Sequence, residues 1–184
     1  AVASVTVGAV NDAPSFNNTL NGMAAFTERG APVILDSDVA IADIELTPLD
    51  SYAGASLTIS RQGGANPQDE FSTGSASLAA LTEGNPLVYD GTTIGTVTHN
   101  SAGALTLSFN ANATQALVDC SLRGIAYGNN SATPPPSALL TWALNDGNSG
   151  AQGLGGALSA TGTTMVTITS VNDAPVAANT SASG

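Results

Sequence analysis

The 184-residue chain has no lysine, three arginines, one histidine and one cysteine. Fourteen acidic residues oppose these few cations, so the formal net charge at pH 7 is −11. A nucleic-acid partner requires a basic surface against its phosphates, and this composition cannot supply one. The surplus of carboxylates suits a hard cation such as calcium, or simply keeps a secreted protein soluble.

Long apolar runs and paired cysteines are also missing from the chain, and aromatic residues make up only 4% of it. No stretch approaches the ~18 consecutive apolar residues of a transmembrane helix, so we expect no membrane insertion. Hydrophobic residues nevertheless form 42% of the chain, which predicts a packed core and not disorder. The lone Cys120, in an apolar context, is expected to be a buried thiol.

The residues needed for common catalytic sites are scarce. His99 is the single histidine, and no serine lies in a G-x-S-x-G nucleophile elbow, so a Ser-His-Asp triad is not indicated. Paired carboxylates could hydrolyse glycosides, but the single Trp142 lies in an apolar strand-like run and is expected in the core. We therefore expect no enzymatic activity.

The pentapeptide Val-Asn-Asp-Ala-Pro occurs at residues 10–14 and again at 171–175, which is 161 positions later (171 minus 10). Each copy follows an alternating, strand-like run, at residues 2–7 and 165–169. Such a recurrence predicts the seam between tandem modules. The predicted organisation has three parts: residues 1–14 as the last strand of a preceding repeat plus a linker, or an assembly strand; residues 15–170 as one complete repeat; and residues 171–184 as a C-terminal linker.

Alternation of apolar and polar residues with a period of two predicts many short strands separated by Gly, Pro, Asn and Asp turns. This pattern indicates an all-β, antiparallel sandwich. Residues 112–122 break the pattern and predict one short helix, capped by Asn112, with Leu117, Cys120 and either Ser121 or Leu122 at helical spacing on one face. Asp69 and Glu70 are expected to be ordinary surface charges, and residues 153–156 a loop without fixed structure.

Acidic residues cluster where predicted strands end. Glu28 and Asp146 each follow a strand, and Asp43 and Glu45 bracket Ile44. In an extended segment, residues two apart share a face, so Asp43 and Glu45 could hold one cation together. The alternative is that they belong to a solvated loop, and that Asn-Asp-Ala-Pro is only a rigid turn.

Several of these motifs together resemble the cadherin-like repeats of large bacterial surface proteins, including the RTX adhesins. The resemblance is carried by Leu144-Asn145-Asp146-Gly147, by Val171-Asn172-Asp173-Ala174-Pro175, by Glu28-Arg29-Gly30 and by Asp43-Ile44-Glu45. It implies an Ig-like or cadherin-like β-sandwich that binds Ca²⁺ at its two ends. The implied upper site contains Asn11, Asp12, Asp43, Glu45 and Asp146, and the implied lower half-site contains Glu28, Asn172 and Asp173.

The expected function is therefore that of an extracellular structural or adhesion repeat, stiffened by calcium at its linkers, at a bacterial cell surface or in a secreted biofilm matrix. Its expected partners are neighbouring repeats or identical subunits, with surface glycans or other cells as further candidates. The alternative is a subunit of a self-assembling filament or surface layer, joined through residues 1–9 by strand addition.

Overall fold

Strands dominate the part of the chain that the computed structural model describes, which is residues 7–17, 20 and 22–174. In chain order the strands are β1 Ser15–Phe16, β2 Met23–Thr27, β3 Val33–Ile34, β4 Ile41–Ala42, β5 Ser56–Arg61, β6 Asp69–Thr73, β7 Pro86–Tyr89, β8 Thr92–Ser101, β9 Ala104–Phe109, β10 Ile125–Asn129, β11 Ser137–Asn145 and β12 Ser159–Thr169. The helices are α1 Leu46–Leu49 and α2 Gln115–Arg123. Residues 2–6 of the predicted first strand, and the linker from residue 175 onward, lie outside the described residues.

The strands form one large and two small sheets. The seven-stranded sheet has the order β2-β12-β11-β5-β9-β8-β7, the three-stranded sheet the order β3-β10-β6, and β1 pairs with β4. All pairs are antiparallel except β2 with β12, where Met23 lies opposite Met165 and Thr27 opposite Thr169. The predicted all-β antiparallel sandwich is confirmed, with a parallel pair at one edge of its large sheet.

The core follows from the alternation of the central strands. Strand β9 buries Leu105, Leu107 and Phe109, while the residues between them are half-buried. On β11, Trp142 is 0% exposed, which confirms its predicted place in the core. Strand β10 lies in the three-stranded sheet, and all five of its residues are buried. Its Tyr127 ring lies 6.0 Å from Phe26 of the large sheet, edge to face, so this residue joins the two sheets.

Helix α2 confirms the predicted helical segment, but it begins later than expected. Thr114, not Asn112, is the N-cap, since its hydroxyl accepts a hydrogen bond from the Leu117 N–H at 3.3 Å. The Asn112 side chain instead donates to the carbonyl of Thr93 at 3.2 Å. The buried face of the helix is the expected one only in part. It buries Ser121 and Leu122, which were the two alternatives for this face, together with Val118, whereas Leu117 and Cys120 are half-buried.

A second helix, α1, was not predicted, and it changes the geometry of the Asp43 and Glu45 pair. The Asp43 carboxylate accepts hydrogen bonds from the N–H groups of Glu45 at 2.9 Å and Leu46 at 2.8 Å. The chain therefore turns into α1 directly after β4 and is not extended. The prediction that the two carboxylates share one face of an extended segment is wrong, because Asp43 caps its own turn.

Candidate metal site at the linker end

Two ends of the module are defined by β12, which starts beside Asp146 and ends beside Glu28. We call the first the linker end and the second the far end. The 11 residues of β12 separate them by about 35 Å. The resemblance to cadherin-like repeats implies candidate cation ligands at both ends.

At the linker end, the chain segment before β1 docks against the loop between β11 and β12. The Asn11 N–H donates to the Leu154 carbonyl at 2.8 Å, and the Leu154 N–H donates to the Ala9 carbonyl at 3.0 Å. A Cβ atom at Gly153, whose φ is +127°, would lie 2.8 Å from the Ala9 oxygen, so glycine permits this close approach. The loop at residues 153–156, expected to lack fixed structure, is instead the surface that holds the linker.

Asp146 organises this loop and is 0% exposed. Its carboxylate accepts hydrogen bonds from the main-chain N–H groups of Asn148 at 2.9 Å and Leu158 at 3.0 Å. It also accepts one at 2.7 Å from the side-chain amide of Asn11, which is 4% exposed. Asp146 is thus saturated with N–H donors, and in this arrangement it positions Asn11.

The remaining oxygen atoms of the linker end lack such donors. Asn11 Oδ1, Asp43 Oδ2 and Glu45 Oε2 are each buried and have no hydrogen-bond partner. Asp43 as a whole is 3% exposed. Gln152 Oε1, in the loop that holds the linker, is a fourth such atom. Buried acceptors without partners are costly, so four of them at one end of the module call for an explanation.

The negative charges of Asp12, Asp43 and Glu45 at the linker end repel one another. Burial raises the pKa of Glu45, and the negative charges of Asp43 and Asp12 raise it further, while a hydrogen bond from the Asp12 main chain works in the opposite direction. No arginine compensates them: Arg29 pairs with Asp173, Arg61 pairs with Asp69, and Arg123 donates to the Val39 carbonyl. A cation at this end would have to come from solution.

An open groove of about 460 Å³ adjoins these residues. Its lining includes Asp12, Asp43 and Ile44, and the Ile44 side chain is 70% exposed. Within residues 7–17, 20 and 22–174, no three Asp, Glu, His or Cys side chains are grouped so that they alone could hold a metal ion. The unpartnered oxygens of Asn11, Asp43 and Glu45 belong to one amide and two carboxylates, which are oxygen donors of the kind that hard cations prefer.

At the far end, the predicted half-site holds a cation that the chain itself provides. The Glu28 carboxylate is buried and accepts a hydrogen bond from the Val171 N–H at 2.8 Å. The Arg29 guanidinium lies 3.6 Å from Glu28 Oε1, a buried atom that has no hydrogen-bond partner, and forms an ion pair with Asp173. Asn172 is exposed. Sequence reasoning named Glu28, Asn172 and Asp173 but overlooked Arg29, although it sits within the same Glu-Arg-Gly motif.

A further polar cluster was missed entirely. Asp69, expected at the surface, is 3% exposed and accepts hydrogen bonds from Arg61 Nη2 at 2.6 Å, Tyr127 Oη at 2.6 Å and Asn129 Nδ2 at 2.8 Å. Burial, followed by the hydrogen bond to Asp69, raises the pKa of Tyr127 strongly. The signal that could have revealed the cluster is Tyr127 itself, because a tyrosine in an apolar strand needs a partner for its hydroxyl group.

The other polar residues singled out in the sequence have local roles. Asp36 Oδ1 accepts a hydrogen bond from the Asp38 N–H at 3.1 Å, as a turn-forming aspartate does. His99 is partly exposed and lies 3.4 Å from Glu83, away from the linker end.

No protein-family model, curated protein or solved structure matches the chain, so its resemblance to the cadherin-like repeats rests on its motifs. Neither helix in the described part of the chain is long and apolar enough to cross a membrane.

Proposed function

We propose that this chain is a calcium-binding structural repeat, whose linker end takes up Ca²⁺ and thereby fixes the angle to a preceding repeat. The observation that carries the proposal is the set of buried, unpartnered oxygens of Asn11, Asp43 and Glu45. They come from the linker and from the module body, so one ion bound between them would connect the two. Asp12 adds a fourth acceptor group beside Glu45.

Calcium would supply a divalent charge that offsets the repulsion among these acids. The residues of the chain do the positioning: Asp146 holds the Asn11 amide, and the start of α1 holds one oxygen of Asp43 so that the other is left free. Hard cations prefer such oxygen donors, and the lack of histidine and cysteine among these residues argues for calcium over zinc.

The proposal also includes an extracellular, bacterial setting for this repeat. Tandem modules with acidic, calcium-dependent junctions suit extracellular adhesins and biofilm matrix proteins of bacteria, and the repeated Val-Asn-Asp-Ala-Pro supports a tandem array. The partners of this module are then neighbouring copies, and surface glycans or other cells are partners of the array.

Calorimetric titration of the whole chain with CaCl₂ tests the proposal. We expect saturable binding, and we expect Asp43→Asn and Glu45→Gln each to raise the dissociation constant at least about tenfold. This factor corresponds to the loss of about 1.4 kcal/mol of binding free energy with one charged ligand. Because burial raises the pKa of Glu45, acidification towards about pH 5 should weaken binding to the native chain more than to Glu45→Gln.

Asp90→Asn is the matched control, since Asp90 is an exposed turn residue with φ +47°, a conformation that asparagine also adopts readily. It removes one charge without touching the linker end. Absence of binding at millimolar calcium, or equal losses in all three variants, would refute the proposal.

A second candidate, a self-assembling filament subunit, is favoured by the exposure of Val7. This apolar side chain is 88% exposed and is therefore available for contact with another chain. Added to the sheet of another chain, residues 1–9 would link subunits into a filament. Removal of residues 1–8 separates the two candidates.

A further inference from the structure

Because the pentapeptide is repeated, the contacts that residues 168–173 make at the far end of this module indicate the contacts that residues 7–12 could make with a preceding copy. Val10 corresponds to Val171 and Asp12 to Asp173, since both pairs are 161 positions apart (171 minus 10 and 173 minus 12). Val7 likewise corresponds to Ile168 (168 minus 7). Ile168 is 7% exposed within β12, whereas Val7 is 88% exposed. Residues 7–12 therefore correspond to residues 168–173, which are the end of β12 and the segment that follows it, but Val7 lacks the burial of Ile168.

The linker end uses only some of the polar groups in this segment. The loop at residues 153–156 and Asp146 engage the Ala9 carbonyl, the Asn11 N–H and the Asn11 side chain. Asp12 remains exposed.

The far end uses the complementary set. There the Glu28 N–H donates to the Thr169 carbonyl at 2.9 Å, the Val171 N–H donates to Glu28, and Asp173 pairs with Arg29. These three groups correspond to the carbonyl of residue 8, the N–H of residue 10 and the carboxylate of residue 12. In an extended chain successive residues face opposite sides, so residues 8, 10 and 12 can contact one module while 9 and 11 contact the next. The two ends use different groups of the linker, except at residue 12, whose carboxylate also lies near Glu45 of the following module and whose main chain is hydrogen-bonded to Glu45.

From this complementarity we propose that a preceding copy of the module binds the linker through its Glu28 and Arg29. The following module binds the same linker through Asp146 and the loop at residues 153–156. The inference rests on the proposed tandem array and adds its partner surface. The guanidinium of Arg29 acts there as a built-in cation that needs no metal. It lies near both Glu28 and Asp173, which the resemblance to cadherin-like repeats implies as calcium ligands.

A tandem protein in which residues 1–174 are joined to residues 14–184 tests the inference, because it recreates one Val-Asn-Asp-Ala-Pro junction between two copies. Each copy carries one half-buried Cys120, so two nitroxide labels span the junction without engineered cysteines. Pulsed electron paramagnetic resonance then measures the distance distribution between the labels. We expect a narrow distribution in calcium and a somewhat broader one in excess EDTA, because Arg29 holds the linker to the first copy under both conditions.

Arg29→Gln in the first copy should broaden the distribution both in calcium and in EDTA, and Asp173→Asn in the first copy should do the same. Arg29→Lys in the first copy should broaden it less, since the charge remains. The matched control is Arg29→Gln in the second copy, where the same local contacts are lost but no module follows. Equal effects of Arg29→Gln in the two copies, or none in either, would overturn the inference.

The same experiment separates this inference from the calcium proposal. An effect of first-copy Arg29→Gln that persists in EDTA, with no response to calcium in any sample, supports the arginine junction and contradicts the calcium function. Narrowing by calcium without an effect of first-copy Arg29→Gln supports the calcium function and contradicts the arginine junction.

Discussion

The burial of Asp69 depends on partners that are distant from it in the sequence. Acidic residues are rarely buried, so Asn66-Pro67-Gln68-Asp69-Glu70 has the pattern of a surface turn with surface charges. In the fold, β6 pairs with β10, and this brings Asp69 to Asn129 and Tyr127, while Arg61 reaches it from β5. Partners 8 to 60 residues away explain its burial, and no local pattern encodes them.

Replacing Asp69 with asparagine should lower the free energy of unfolding by about 3 kcal/mol, because the largely buried Arg61 guanidinium then lacks its counter-charge. Urea unfolding followed by the fluorescence of the single, buried Trp142 measures this change. The neighbouring Glu70 is exposed, so Glu70→Gln should change the free energy by less than about 0.5 kcal/mol. Equal stabilities of the two variants would contradict the role assigned to Asp69.

At the scale of elements, the strands that could be predicted are those with several alternating residues. Alternating runs at residues 104–109, 55–60 and 138–145 predict three strands. The structure confirms them as β9 with the same bounds and as β5 and β11 to within one residue, and each has one buried and one less buried face. The two-residue strands β1 and β4 carry too little pattern to be seen. The turn after β4 depends on a hydrogen bond from the main chain to the Asp43 side chain. The alternation of apolar and polar residues carries no information about such a bond.

Residues 1–8 form the element on which the two candidate functions differ. If the chain is a stalk repeat, removing them should leave a folded monomer, because β12 already fills the equivalent place in the module's own sheet. If it is a filament subunit, the same deletion should abolish assembly of a chain that otherwise polymerises. Sedimentation velocity of both forms, at equal concentration, distinguishes these results.

Over the whole molecule, the distribution of the few positive charges decides where a metal could act. Arg61 and Arg123 are engaged inside the module and Arg29 at the far end, so the linker end keeps its acids uncompensated. The sequence correctly located acids near both ends. It could not show that Arg29 neutralises one end, or that Asp146 binds N–H groups, because both facts depend on where loops return in the fold.

The most direct test of the central claim, that calcium at the linker end braces successive modules, is small-angle X-ray scattering of the tandem protein in calcium and in EDTA. We predict a larger maximum dimension and lower flexibility in calcium, and loss of this response when Asp43→Asn is placed in the second copy, whose linker end forms the junction. The same substitution in the first copy should preserve it. Identical scattering with and without calcium would contradict the account.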